Sequence, residues 1–115
     1  MKLVFIAAPF RAATDWQRYC NVRRAETYAL QVWKLGACAV CPQANSAHFH
    51  GEGPDEVYLT GYLALLERCD AVLVVAQSDG VAAELARAAA WDLPVFRTVE
   101  ELGAWLMREE APLFA

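Results

Sequence analysis

The stretch SDGVAAELARAAAW, residues 78 to 91, sets one carboxylate, Glu84, deep in an Ala-rich run. Two chemistries are open to it. As a solvated charge it would pair with Arg87, an i,i+3 contact worth a few tenths of a kcal/mol. As a nucleophile it would attack an electrophilic carbon and carry a covalent intermediate. If Ser78 or Asp79 caps a helix here, Glu84 lies beyond the capping-box position, so capping does not account for it. A helix N-terminus favours an ionised carboxylate and offers backbone N–H groups to an anion. On spacing alone the surface pair is the simpler reading.

Other reactive side chains fit structural roles better. Cys38 and Cys41 form a C-x-x-C, but within ACAVC, which reads as a strand. Strand side chains three apart point to opposite faces, whereas a redox C-x-x-C opens a helix. With Cys20 and Cys69 they read as thiols of a reducing compartment. His48 and His50 lack carboxylate or Cys partners at metal spacing, so no metal and no cofactor is expected. Asp70 precedes a strand, at the end of the sheet away from the other polar loops, and is expected to hold a turn. Gly-rich dinucleotide and P-loop signatures are absent, as is a G-x-S-x-G elbow. Paired acids after the first strand, which a phospho-receiver would need, are absent too.

The elements that must position these groups follow from periodicity. KLVFIAA (2 to 8) is a continuous apolar run of strand length, suited to a strand covered on both faces. Thr14 with Gln17 can cap a helix that runs to Leu35, with Tyr19, Val22, Ala25, Ala29 and Val32 as its apolar stripe and Gly36 at its end. ACAVC (37 to 41) is a second strand, stopped by Pro42, and QANSAHFHGEGPD is a polar loop. Pro54 opens a helix to about Arg68, with Val57, Leu59, Leu63, Leu65 and Leu66 mostly inward. AVLVVA (71 to 76) is the third strand, QSDG leads into the Ala-rich helix, and PVF (94 to 96) is the fourth strand. Thr98 with Glu101 caps a last helix to about Met107, leaving 109 to 115 as a tail.

This βαβαβαβα order predicts a single α/β domain spanning 1–115. It is a Rossmann-like or flavodoxin-like three-layer sandwich: a parallel sheet of order 2-1-3-4 with helices on both faces. Ligands of such sheets bind beyond the carboxyl ends of the strands, at the switch point between strands 1 and 3. The loops there are AAPFRAAT, PQANSAHFHG and QSDG, which hold nearly all the unusual polar residues. The 115 residues, 57% hydrophobic, suffice for one core. A net charge of −4 with scattered Lys and Arg argues against a nucleic-acid surface. The opening MKLVFIAAPF is too short to span a bilayer and shows no cleavage pattern, so no membrane association and a cytoplasmic location are expected.

These residues resemble the nucleoside 2-deoxyribosyltransferase-like superfamily. SDGVAAE (78 to 84) is similar to its S-x-G-x-x-x-E signature, and APFR (8 to 11) to the first loop of its 5′-monophosphate N-glycosidase members. NV (21 to 22), PQANSAHF (42 to 49) and LLERCD (65 to 70) extend the likeness to the small DUF4406 branch, all in the same order, over residues 3 to about 100. The resemblance implies an N-glycosidase or deoxyribosyltransferase acting on a nucleoside or its 5′-monophosphate. Glu84 would be the nucleophile; Ser78, Gly80 and the helix N-terminus would hold sugar hydroxyls or a phosphate, and Arg11 would add charge-assisted bonds to that phosphate. Ala8, Pro9, Phe10, Asn21, Asn45 and His48 fall on matching motif positions and are expected to line the substrate site. Two positions depart from the pattern. Tyr62 stands where the transferases carry an Asp that handles the leaving base, and Gln43 follows Pro42 where the branch has His. The general acid is then Asp79, His48 or Asp55, with Asp79 first by its place on the short loop. A sensor domain that binds the same ligand without cleaving it is the alternative. The resemblance also implies self-association as a homodimer or higher homo-oligomer, which Trp16, Trp33 or Trp105 would allow if exposed; each equally suits the core.

Overall fold

Alternation along the first strand decides the layering. In the computed structural model, which describes residues 1–109, β1 (Leu3–Ala7) is covered on both faces. Val4 and Ile6 point to one side, where Ala25, Ala29 and Val32 of α1 (Asp15–Lys34) and Leu102 and Leu106 of α5 (Val99–Glu109) meet them. Phe5 and Ala7 point to the other, against Leu66 of α3 (Asp55–Leu66) and Val81 and Ala88 of α4 (Asp79–Ala90). A strand read as uniformly apolar is thus shared by two cores.

The remaining strands, β2 (Cys38–Val40), β3 (Ala71–Val74) and β4 (Val95–Phe96), complete a parallel sheet of order β2-β1-β3-β4, as expected. β1 is central, with Val4 opposite Ala39 on one side and Ala71 on the other. The strands are each shorter than their apolar runs. Helix α5 reaches Glu109, two residues beyond the expected Met107. The rest of the expected tail, 110 to 115, lies outside the described residues.

The caps form as the sequence predicts. Thr14 Oγ1 accepts from the Gln17 N–H at 3.1 Å and Thr98 Oγ1 from the Glu101 N–H at 3.1 Å. Gly36 leaves α1 at φ +89°, a left-handed conformation that a side chain would strain. Three expectations fail. Tyr19, expected in the apolar stripe of α1, is 55% exposed and stacks on Trp16, because at the first turns of α1 no described element packs over its side chain. The segment after β2 is not all loop: Pro42–Asn45 forms a short helix, α2, and Ala47–Phe49 a 3-10 turn. Pro42 presets the first turn, but so short an element leaves no periodicity to read. Val57 and Leu59 of α3 face outward, because α3 packs on α4 along one side only and its next face borders a cleft.

Asp70 does hold the far end of the sheet. Its Oδ2 accepts from the Leu3 N–H at 2.7 Å, tying the start of β1 to the start of β3. Asp70→Ala leaves that N–H without its acceptor, so a loss of about 1–3 kcal/mol in urea unfolding is expected. Asp70→Asn, which keeps an acceptor oxygen, should recover most of it.

Candidate functional site

Two neighbouring strands send their chains to opposite layers. β1 leads into α1 on one face and β3 into α4 on the other, which opens a crevice beyond their carboxyl ends. A cleft of about 530 Å³ lies there. The loop after β1 contributes Ala8, Phe10 and Arg11, and the start of α4 contributes Ser78, Asp79, Gly80 and Glu84. Helix α2 and the residue after it supply Pro42, Gln43 and Ser46; beyond them come Phe49 and His50. The wall from α3 carries Asp55, Tyr58, Leu59 and Tyr62.

Glu84 is the sixth residue of α4 and is 8% exposed. Helical side chains lean toward the N-terminus, which carries this carboxyl back over the first turn and into the cleft. It makes no hydrogen bond or ion pair with any described residue. The expected partner Arg87 is exposed and lies over the Trp91 ring at 5.8 Å, so the Glu84–Arg87 surface pair does not form. Nor does the helix N-terminus keep Glu84 ionised at neutral pH. Burial pushes its carboxyl up to about 8, because desolvation in the second turn outweighs a dipole that fades beyond the first. The free protein therefore holds a mostly protonated, unpaired carboxyl facing an open cleft at neutral pH.

Ser78 caps α4, its Oγ accepting from the Val81 N–H at 3.2 Å. Asp79 is the first residue of α4 and is exposed at the cleft edge. Arg11 is also exposed and pairs with Asp55 across the rim at 3.2 Å. Four expected residues do not line the cleft. Pro9 lies half-buried between its neighbours Ala8 and Phe10. Asn21 acts from behind: its Nδ2 donates to the Phe10 carbonyl at 3.1 Å and fixes the loop. Asn45 is exposed and donates to the Tyr62 hydroxyl at 3.3 Å. His48 lines a neighbouring groove, while His50 borders both it and the cleft.

Several contributors were not among the expected site residues. Gln43 is 5% exposed, and its Nε2 donates to the Ala8 carbonyl at 2.6 Å, linking α2 to the end of β1. Its Oε1 accepts from the Cys41 thiol at 3.6 Å, a thiol whose pKa burial raises. Tyr62 donates to Ser46 Oγ at 2.5 Å and so joins α3 to the residue after α2. Phe49 and Tyr58, with ring centroids 6.5 Å apart, make an aromatic corner on the same wall. For Gln43 and Phe49 the signal was the length of the polar loop; without the short helix its residues had no assigned direction. Among the described residues no group of three His, Cys, Asp or Glu side chains could hold a metal ion. No helix there is long and apolar enough to cross a membrane.

No family model and no curated protein matches the chain. Among solved structures it is similar to the 2-deoxyribosyltransferase of the psychrotolerant bacterium Bacillus psychrosaccharolyticus, with a TM-score of 0.59 and 20% identity. The match covers 81% of this chain and 69% of that one. The parallel 2-1-3-4 sheet with its flanking helices is thus a fold shared with a 2-deoxyribosyltransferase.

Proposed function

We propose that the protein cleaves the N-glycosidic bond of a nucleoside, as an N-glycosidase or a deoxyribosyltransferase, with Glu84 as nucleophile. The observation that carries this reading is a buried, unpaired carboxyl at the strand-end crevice of the fold. The ionised Glu84 carboxylate forms a bond to the anomeric carbon while the bond from that carbon to the base nitrogen breaks. The electron pair leaves on the base, which takes up a proton. Water, or a second base, then attacks the glycosyl ester and frees Glu84. A carboxylate held in a poorly solvated cleft stabilises the positive charge that develops on the sugar. No cofactor is needed, and four free thiols suit the reducing cytoplasm.

Of the three residues weighed as general acid, Asp79 and Asp55 border the cleft and His48 does not. Asp55 is engaged by Arg11, which leaves Asp79 as our assignment. The same charges favour an uncharged nucleoside over its 5′-monophosphate. Arg11, the one Lys or Arg side chain among the described residues that line the cleft, already has a carboxylate partner. Asp79 stands at the positive end of α4, where a phosphate would seek its place.

A sensor that binds without cleaving is the second reading, favoured by Tyr62 in place of an acid and its commitment to Ser46. The test is a panel of ribo- and deoxyribonucleosides and their 5′-monophosphates, with free base followed by chromatography. The glycosidase reading predicts base release, faster from nucleosides than from monophosphates. Absence of release with a ligand-dependent rise in Tm would establish the sensor instead.

A further inference from the structure

Every second carbonyl of the loop after β1 is held by a side chain from outside that loop. The Ala8 carbonyl accepts from Gln43 Nε2 at 2.6 Å, that of Phe10 from Asn21 Nδ2 at 3.1 Å and that of Ala12 from the Arg18 guanidinium at 2.8 Å. The donors come from α2 and α1. Arg11 therefore stands on pinned backbone, with a bonded residue on either side, and its place at the cleft rim is set before any ligand arrives. The segment across the cleft is held as well. The Tyr58 hydroxyl donates to the Glu52 carbonyl at 2.6 Å, and Pro54 fixes φ at −72° where α3 begins. Asp55, the next residue, meets Arg11 at 3.2 Å.

This contact occupies the place that a phosphate would take. A guanidinium presents the same planar fork to a carboxylate and to a phosphate. The positive end of α3 favours an anion beside Arg11, and Asp55, its first residue, is that anion. The start of α4, the other such position on the cleft, carries Asp79. Each feature that would draw a 5′-phosphate thus already has a carboxylate of the chain beside it. Around the rim one positive group, Arg11, stands against two negative ones, Asp55 and Asp79, and a 5′-phosphate would bring about two more negative charges.

Asp79 has a task in the proposed reaction. Asp55 has none, and among the described residues its carboxylate is engaged by Arg11 alone. We infer, resting on the nucleoside reading of this cleft, that Asp55 is its specificity-determining residue: its carboxylate holds Arg11 and so restricts the site to uncharged nucleosides. Removing that charge should open the site to anions. The pair is exposed, 74% at Arg11 and 58% at Asp55, and adds little to stability, so Asp55→Asn keeps the fold while freeing Arg11.

Binding decides the matter whether or not the bond is cleaved. Inorganic phosphate, and the nucleosides and 5′-monophosphates of the panel, are titrated calorimetrically at low salt into the unmodified chain, Asp55→Asn, Asp55→Glu, and Asp55→Asn combined with Arg11→Gln. Asp55→Asn should bind inorganic phosphate about tenfold or more tightly than the parent, and the affinity ratio of monophosphate to nucleoside should rise by a similar factor. Asp55→Glu, which keeps the charge, should keep the parent's preference. Adding Arg11→Gln should cancel the gain, and salt should erode it. Where nucleosides are cleaved, the kcat/KM ratio of monophosphate to nucleoside should follow. An Asp55→Asn chain that binds phosphate no better than the parent, or a gain that survives Arg11→Gln, would overturn the assignment. Absence of base release from every substrate would instead sink the glycosidase reading and leave the phosphate titration to stand by itself.

Discussion

Glu84→Gln is expected to abolish base release from any nucleoside that the unmodified protein cleaves, lowering kcat by about 10⁴-fold or more. The amide keeps the size of the side chain and its place in the cleft but has no electron pair ready to form a glycosyl ester. Binding should survive, because the aromatic corner and the rim are untouched, so KM or ligand-induced stabilisation should change little. This split separates a nucleophile from a residue that merely shapes the cleft, whose loss would weaken binding as well. In the unmodified protein, kcat/KM should rise with pH through about 8, since only the ionised carboxylate attacks and burial holds the proton on it until then.

The same burial predicts that Glu84→Gln is more stable than the parent at alkaline pH. An unfolded chain releases the Glu84 proton near 4.5, whereas the folded one keeps it to about 8. Between those values the folded state binds more protons, so the stability conferred by the neutral acid is lost as pH rises and levels off above the folded value. Ionising an unpaired buried carboxyl should cost about 2–4 kcal/mol at about pH 9. Gln pays none of this, so its Tm should exceed that of the parent by at least about 8 °C there and converge with it near pH 5. Equal Tm values at both pH values would place Glu84 in water. If Glu84 is the proposed nucleophile, a parent less stable than its amide variant is the expected consequence of holding a functional group in a poorly solvating place.

The fold was legible because its signals are local and repeated. Uniform apolar runs identified β1 and β3, Thr14 and Thr98 marked helix starts, and the alternation of strand and helix left few topologies. A cleft at the strand ends was expected from strand order alone, and one lies there. What could not be read was direction. Glu84 has the spacing of a surface charge to Arg87, and only the packing of α4 on the sheet turns it inward while Arg87 goes to Trp91. Gln43 reads as a loop amide until Pro42 starts a short helix that aims it at the Ala8 carbonyl. His48 and His50, two residues apart, differ in that only His50 also reaches the cleft, past the 3-10 turn that begins at Ala47. Tyr62, absent from the expected acid pattern, proved to be a hydrogen-bonding strut.

The most direct test is to catch the glycosyl ester itself. The protein is mixed with a cleaved nucleoside, quenched in acid within one turnover, digested and mapped by mass spectrometry. The account predicts a sugar adduct on the peptide containing Glu84, at Glu84, and none in Glu84→Gln. Base release with no adduct at Glu84, persisting in Glu84→Gln, would contradict it and move the chemistry to another group in the cleft.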